Sequence, residues 1–252
     1  MNDRARGAVF ADPDVARAYR RRAPYGAETF TVLEGLLVEP RVVLDLGSGN
    51  GALAREMTRF ADRVDAVDPS AAMIEQGRKL PRGTDPKLRW ILGTAEDVHL
   101  DGPYGLATAG ASVHWFDAAR VMSRLAAALA PRARFAIVEI DGVEQPMPGM
   151  LEIFRRYSES HHRELTEVVQ ELVAAGQFVR EGEQRIAPVT ARWTLDEYLE
   201  YLHSTSDYAP VQLGARAAAF DADVRALFAR EGMTAIEREY MTVVTWGRPV
   251  AK

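Results

Sequence analysis

Leu44-Asp45-Leu46-Gly47-Ser48-Gly49-Asn50-Gly51 joins the apolar run Val42-Val43-Leu44-Asp45-Leu46 to a segment, residues 51–60, that reads as a helix. A short, almost wholly apolar run suits a strand covered on both faces, as in a parallel sheet. Glycines at alternate positions, Gly47, Gly49 and Gly51, let the backbone turn sharply and come close to a ligand. A helix opening after such a turn presents free N–H groups and the positive end of its dipole. The stretch reads as a strand–turn–helix cradle for a nucleotide; the alternative is a plain tight turn.

The alternation continues outward from this point. Residues 64–67, 88–92, 104–109 and 135–140 read as further strands, the run at 104–109 the weakest. Ser70 caps a helix through Met73 and Ile74 to Lys79, and Asp117 caps another over 118–129. Ahead of the first strand, residues 28–38 have helical spacing and stop at Pro40. Strands and helices alternating at this pace imply right-handed βαβ units. Between 142 and 218 the sequence shows helices and no clear strand: 150–162, 164–175 ended by Gly176, and one opened by the capping box Thr194-Leu195-Asp196-Glu197. A helix over 221–230 and two strands, 235–240 and 242–246, paired as a hairpin, close the chain. The expected fold is α/β, a doubly wound, mostly parallel seven-stranded sheet with an antiparallel last strand and an inserted helical lid. The expected organisation is an N-terminal helical segment (1–40), a Rossmann-like domain (41–141 and 219–252) and a helical lid or substrate subdomain (142–218).

Composition narrows the function. The chain has 252 residues, 47% hydrophobic and 27% charged, with a formal net charge of −5. A mildly acidic chain is poorly suited to phosphate backbones, so no nucleic-acid partner is expected. The run Arg20-Arg21-Arg22 reads first as a solvated helix face. No cysteine is present, which excludes disulfides, thiolate metal sites and cysteine nucleophiles. No signal peptide is visible, and no apolar stretch reaches the ~20 residues a span needs. A cytoplasmic protein, monomer or homodimer, with no membrane partner is expected. No resident metal is expected either: His161 and His162, beside Glu164, are adjacent and so do not share a helix face.

Asp68 closes the second strand, 21 positions after Gly47 (68 − 47 = 21). It either accepts hydrogen bonds from two ribose hydroxyls or caps the helix behind Pro69 and Ser70; its position favours the ribose. The glycine spacing is G-x-G-x-G rather than the dinucleotide G-x-G-x-x-G, and Asp45 lies inside the preceding strand. A carboxylate there repels a pyrophosphate but tolerates an ammonium. This points from NAD toward an amino-acid-bearing nucleoside, S-adenosylmethionine.

With these residues in view, the chain resembles the class I, seven-stranded S-adenosylmethionine-dependent methyltransferases. Residues 42–51 are similar to that family's first motif and Val64-Asp65-Ala66-Val67-Asp68 to its second. Gly93-Thr94-Ala95-Glu96-Asp97 resembles the third, and Ala111-Ser112-Val113-His114-Trp115-Phe116-Asp117 the exit of the fourth strand in the branch that includes trans-aconitate methyltransferases. The resemblance covers about residues 40–140 and 220–248. It implies cofactor contacts from Asp45, Gly47, Ser48, Gly49, Asp68, Pro69, Met73, Ala95, Glu96, Asp97 and Ala111, with S-adenosylhomocysteine as product. Tyr19, Arg22, Pro24 and Tyr25 loosely resemble a family stretch near the methionine carboxylate, where Arg22 pairs with it; a solvated helix face is the alternative. Leu129-Ala130-Pro131-Arg132-Ala133 departs from the family's Leu-x-Pro-Gly-Gly, in a loop remote from the cofactor.

Methyl transfer from a sulfonium needs positioning above all. His114 is the candidate base, or else a residue that shapes the pocket. Together with Trp115, Tyr25 and Trp193 it is expected to meet a small-molecule acceptor, O- or N-directed, such as a carboxylate or natural-product intermediate. Two other readings remain open: a protein that binds the cofactor without methyl transfer, and a nicotinamide-dependent oxidoreductase.

Overall fold

The computed structural model describes residues 7–158 and 165–251. Seven strands form one sheet: β1 (Val42–Leu46), β2 (Arg63–Asp68), β3 (Leu88–Leu92), β4 (Tyr104–Gly110), β5 (Leu129–Gly142), β6 (Phe178–Thr194) and β7 (Ala235–Pro249). Their order is β3-β2-β1-β4-β5-β7-β6. The first five pair in parallel, while β7 runs antiparallel to both β5 and β6. This is the doubly wound sheet with an antiparallel last strand that the sequence predicts. The strand order reverses at β1, so a crevice opens beyond the carboxyl ends of β1 and β4.

The helices are α1 (Pro13–Ala18), α2 (Ala27–Leu36), α3 (Ala54–Met57), α4 (Ala71–Lys79), α5 (Ala118–Ala128), α6 (Pro148–Tyr157), α7 (Leu165–Ala174), α8 (Leu195–His203), α9 (Pro210–Leu213) and α10 (Ala217–Arg230). Alternation along β1 sends Val43 to one face and Leu44 and Leu46 to the other. Leu44, Leu46, Phe135 and Ile137 pack with Val121, Met122 and Leu125 of α5 and Val168, Val169 and Leu172 of α7. On the opposite face Val43, Val64, Leu106 and Val138 pack with Leu33 and Leu36 of α2 and Met57 of α3. Each such side chain, fully buried, contributes about 1.5–3 kcal/mol. A third core joins α6, α8 and α10 to Trp193 and Tyr240 of β6 and β7. Among the described residues no helix is long and apolar enough to cross a membrane.

The structure corrects the sequence reading in three places. Residues 142–218 are not all helix, because they contain the 17-residue β6. That strand lies at the sheet edge and carries Arg180, Glu181, Glu183 and Arg185; charges of this kind blunt an edge. Register shifts at Arg180/Gly182 and Ile186/Val189, the second spanning Pro188, break its alternation. The expected closing hairpin is instead the single 15-residue β7, paired on both sides. Met241 between its halves is no turn former. The helix expected over 51–60 is α-helical only over Ala54–Met57. Ser70, Asp117 and the Thr194–Glu197 box cap their helices as expected. The helix expected over 150–162 ends at Tyr157, and His161, His162 and Glu164 lie outside the described residues.

Gly77 lies in α4 against the Trp90 ring, and a Cβ there collides with that ring and stands 2.7 Å from the Asn50 carbonyl oxygen. Alanine adds about 1 kcal/mol of helix propensity, but overpacking costs about 1–3 kcal/mol and the carbonyl is backbone. Gly77→Ala is therefore expected to lower the urea unfolding midpoint. A higher midpoint would show that the contact with Trp90 is slack.

Candidate functional site

The turn after β1 holds Gly47, Gly49 and Gly51 at φ +65°, +56° and +76°, the left-handed region that glycine enters at least cost. Their surroundings differ. A Cβ on Gly47 meets Ser112 Cβ at 2.6 Å, and one on Gly51 meets the Trp90 ring at 2.5 Å. Both are required by packing against protein. At Gly49 the nearest atom is Tyr19 Cε1, 3.9 Å away, so this glycine is the one that faces open space. The Ser48 amide donates to Val67 O at 2.9 Å, and Ser112 Oγ donates to Leu46 O at 2.8 Å. These bonds tie the turn to β2 and to the exit of β4.

Asp68, buried at the end of β2, accepts the Gly49 amide on Oδ2 at 2.7 Å and the Ser70 amide on Oδ1 at 2.8 Å. Burial raises its pKa and the two amides lower it, with a net rise. A carboxylate has about four acceptor positions, so each oxygen keeps capacity for a hydroxyl. Asp45 is buried as well. Thr108 Oγ1 donates to it at 2.7 Å, and Ala54 supplies a backbone hydrogen bond. Burial pushes its pKa up to about 7, opposed by Thr108 and reinforced by the charge of Asp68.

The carboxyl edge of the sheet is covered by the chain N-terminal to α2. The 3-10 turn Ala8–Ala11 is fastened where Ser70 Oγ donates to Phe10 O at 2.6 Å. The Phe10 ring stands edge-on to Tyr19 and Trp115, at 5.9 and 6.1 Å. The Arg22 guanidinium lies 5.1 Å from the Tyr19 ring centre and donates through Nη2 to Ser204 O at 2.9 Å, while its Nε is buried without a partner. The Tyr25 hydroxyl stands 2.7 Å from the Cβ position of Gly110, and burial pushes its phenol pKa up. Arg21 binds Glu197 at 2.8 Å and Glu200 at 2.7 Å on α8. This strap joins α4 to α8 across the ends of β1, β2 and β4.

Asp45, Gly47, Ser48, Gly49, Asp68, Arg22 and Tyr25 are thus brought together. Pro69 is exposed beside Asp68. Ala111, at φ +48° with its amide on Val138 O at 2.9 Å, turns the chain out of β4; His114 follows on the 3-10 turn Val113–Trp115, its ring 4.1 Å from that of Trp115. Ala95 is buried. Glu96 Oε1 accepts the Asp117 amide at 2.7 Å, and Asp97 accepts Thr94 Oγ1 at 2.9 Å and Arg120 Nη2 at 2.6 Å. Both carboxylates therefore tie their loop to α5. Of the residues expected at cofactor and acceptor, Met73 is buried at the start of α4 with its amide on Ser70 Oγ at 3.1 Å, and Trp193 lies in the third core. Trp193 is 4% exposed and donates its indole N–H to Arg21 O at 3.0 Å.

Thr108 and Ser112 were missed as site residues. A threonine in the otherwise apolar or small run Tyr104–Gly110 was the available signal, because a buried hydroxyl needs an internal partner. Among the described residues no group of three or more His, Cys, Asp or Glu is placed to hold a metal ion.

Comparison with known proteins agrees with this geometry. Residues 43–132 match a methyltransferase domain family. An uncharacterized methyltransferase of Mycobacterium tuberculosis is 36% identical over 123 residues, 48% of this chain and 48% of that protein. A malonyl-[acyl-carrier protein] O-methyltransferase of Legionella pneumophila is 31% identical over 107 residues, 40% of this chain and 37% of that one. The chain thus matches about half the length, or less, of these curated relatives. A protein of Anaeromyxobacter dehalogenans, provisionally described as a type II methyltransferase, superimposes with TM-score 0.63 at 24% identity over 92% of this chain and 99% of its own. A methyltransferase of Thiobacillus denitrificans, solved with S-adenosyl-L-homocysteine, gives 0.53 at 18% identity over 94% and 97%. Residues 43–132 are thus similar to a methyltransferase domain, and the sheet order is that of the methyltransferase fold of the solved proteins.

Asp45 has a folded pKa of about 7 against an ordinary 3.8, so the folded state binds the proton more tightly. Its contribution to stability is present below pH 4, is lost as pH rises to about 7, and is level beyond. Urea unfolding from pH 4 to 8 is expected to show Asp45→Asn gaining on the wild type up to pH 7. A pH-independent difference between the two would remove the raised pKa.

Proposed function

We propose that this chain transfers a methyl group from S-adenosylmethionine to a small-molecule acceptor, O- or N-directed, in the crevice beyond β1 and β4. The clamp of Asp68 on Gly49 carries the reading: a buried carboxylate with spare acceptor capacity stands beside a left-handed glycine that faces open space. Asp68 receives the ribose hydroxyls, and Gly49 lets the nucleoside approach the backbone. Arg22 Nε, a buried donor without a partner, receives the carboxylate of the amino-acid end. Asp45 faces the ammonium. The buried, unpartnered Ser48 Oγ and Asn50 Oδ1 add polar capacity on the same turn.

The bound sulfonium supplies an already activated methyl group, so orientation and exclusion of water carry most of the rate. The Phe10–Tyr19–Trp115 contacts close the crevice from above and exclude water. His114, at the exit of β4, takes the proton from an acceptor that loses one on attack; an ionised carboxylate acceptor needs no base.

Calorimetric titration tests the cofactor. S-Adenosylhomocysteine is expected to bind at ~1–100 μM, about −5 to −8 kcal/mol, with no heat from NAD. Asp68→Ala is expected to weaken it at least about tenfold, about 1.4 kcal/mol. NAD binding without nucleoside binding would overturn the assignment, and an unchanged affinity in Asp68→Ala would remove Asp68 from the ribose.

A further inference from the structure

On the face carrying α2 and α3 lies an open groove of about 690 Å³, within the range of small-molecule sites. Its walls include Tyr19, Tyr25, Phe30 and Phe60, together with Asn50 and Ala52 of the segment that follows β1. The groove therefore borders the cofactor cradle and lies between the two helices.

Its charge is unbalanced. Four arginines, Arg20, Arg22, Arg55 and Arg59, line it against two acids, Glu34 and Glu56, and of the four Arg20 is paired outside the groove with Glu200 at 3.5 Å. Both acids already have partners: Glu56 binds Arg59 at 3.0 Å and Glu34 reaches Arg41 at 3.8 Å. Arg22 and Arg55 lie partly buried and hydrogen-bond to carbonyls, and the one carboxylate whose charge acts on Arg55 is Glu56, which Arg59 already binds. Arg22 donates to Ser204 O, and Arg55 to Asn50 O at 3.1 Å and Pro81 O at 2.9 Å. Half-buried guanidinium groups without a carboxylate are costly, and the anion that suits them best is a carboxylate received by a planar fork. One of the two charges is matched by the cofactor's own carboxylate at Arg22, leaving Arg55 for a second anion.

We propose that this groove, rather than the segment 142–218, holds the body of the acceptor, a carboxylate on an apolar or aromatic frame with its anion at Arg55 and its frame along Phe30 and Phe60, while its methyl-accepting end lies in the crevice beside the cofactor. The acceptor role rests on the methyl-transfer reading above. The selectivity for an anion rests on the groove alone.

The test is calorimetric, on the full chain saturated with S-adenosylhomocysteine, with two probes of equal chain length, decanoate and decyltrimethylammonium. Decanoate is expected to bind at least about tenfold tighter than the cation. Arg55→Gln is expected to erase that preference. Thr31→Trp, on the exposed face of α2 where it lines the groove, is expected to abolish binding of both probes. Both variants are expected to keep the nucleoside affinity within about twofold. Equal affinity for the two amphiphiles overturns the proposal, as does decanoate binding indifferent to both substitutions. Competition between decanoate and the nucleoside also overturns it, because the groove is then the cofactor's own. Wild-type protein that selects decanoate but never binds the nucleoside overturns the methyl-transfer reading and leaves the anion selectivity standing.

Discussion

Between β1 and α3 the chain passes through three left-handed glycines, and the buried Asp68 carboxylate takes the middle one by its amide at 2.7 Å. With the Ser48 amide on Val67 O, that bond keeps the turn folded back against β2, since a left-handed backbone gains nothing by itself. The same carboxylate orders the start of α4 through the Ser70 amide, and Ser70 in turn holds Phe10. One ionisable side chain thereby links the nucleotide turn, the helix after β2 and the N-terminal strap. Gly47 and Gly51 serve the same end by admitting Ser112 and Trp90 to van der Waals contact. The cradle is held from four directions before any ligand enters.

A pocket held this way concentrates charge where water is scarce. Asp45 and Asp68 face the same crevice from adjacent strands, and burial raises the pKa of each. Arg22 and Arg55 line the groove beside the same turn, partly buried and hydrogen-bonded to carbonyls. The strap brings Arg22 to this place, and its ties to α8 through Arg21 fix the approach. Covering the crevice is thus work shared by the two ends of the fold, with α8 as the anchor and residues 7–25 as the cover.

The antiparallel half of the sheet supplies the anchor. The long strands β5, β6 and β7 extend beyond the parallel strands, and their far ends carry Trp193 and Tyr240, on which α6, α8 and α10 pack. This aromatic core gives α8 a rigid seat. Trp193 is therefore as necessary to the strap, through its bond to Arg21 O, as it would be at the acceptor, though by a different route.

Local sequence determined the turn, the parallel strands and their caps. Alternate glycines, short apolar runs and residues such as Ser70 and Asp117 act over a few residues, and their energetics scarcely depend on distant partners. Asp45 and Asp68 were legible for the same reason: an acid inside or at the end of an apolar strand stands out against its neighbours. Tertiary structure alone decided the rest. The edge strand β6 has charges and bulges where a strand pattern should be, and becomes a strand only because β7 offers it a partner. Glu96 and Asp97 stand out in the chain as a pair of acids, and only the structure shows that the Asp117 amide and Arg120, more than twenty positions away, bond to them. The groove's uncompensated charge depends on which arginines find acids, and that is a property of side chains meeting in space, which no spacing along the chain encodes.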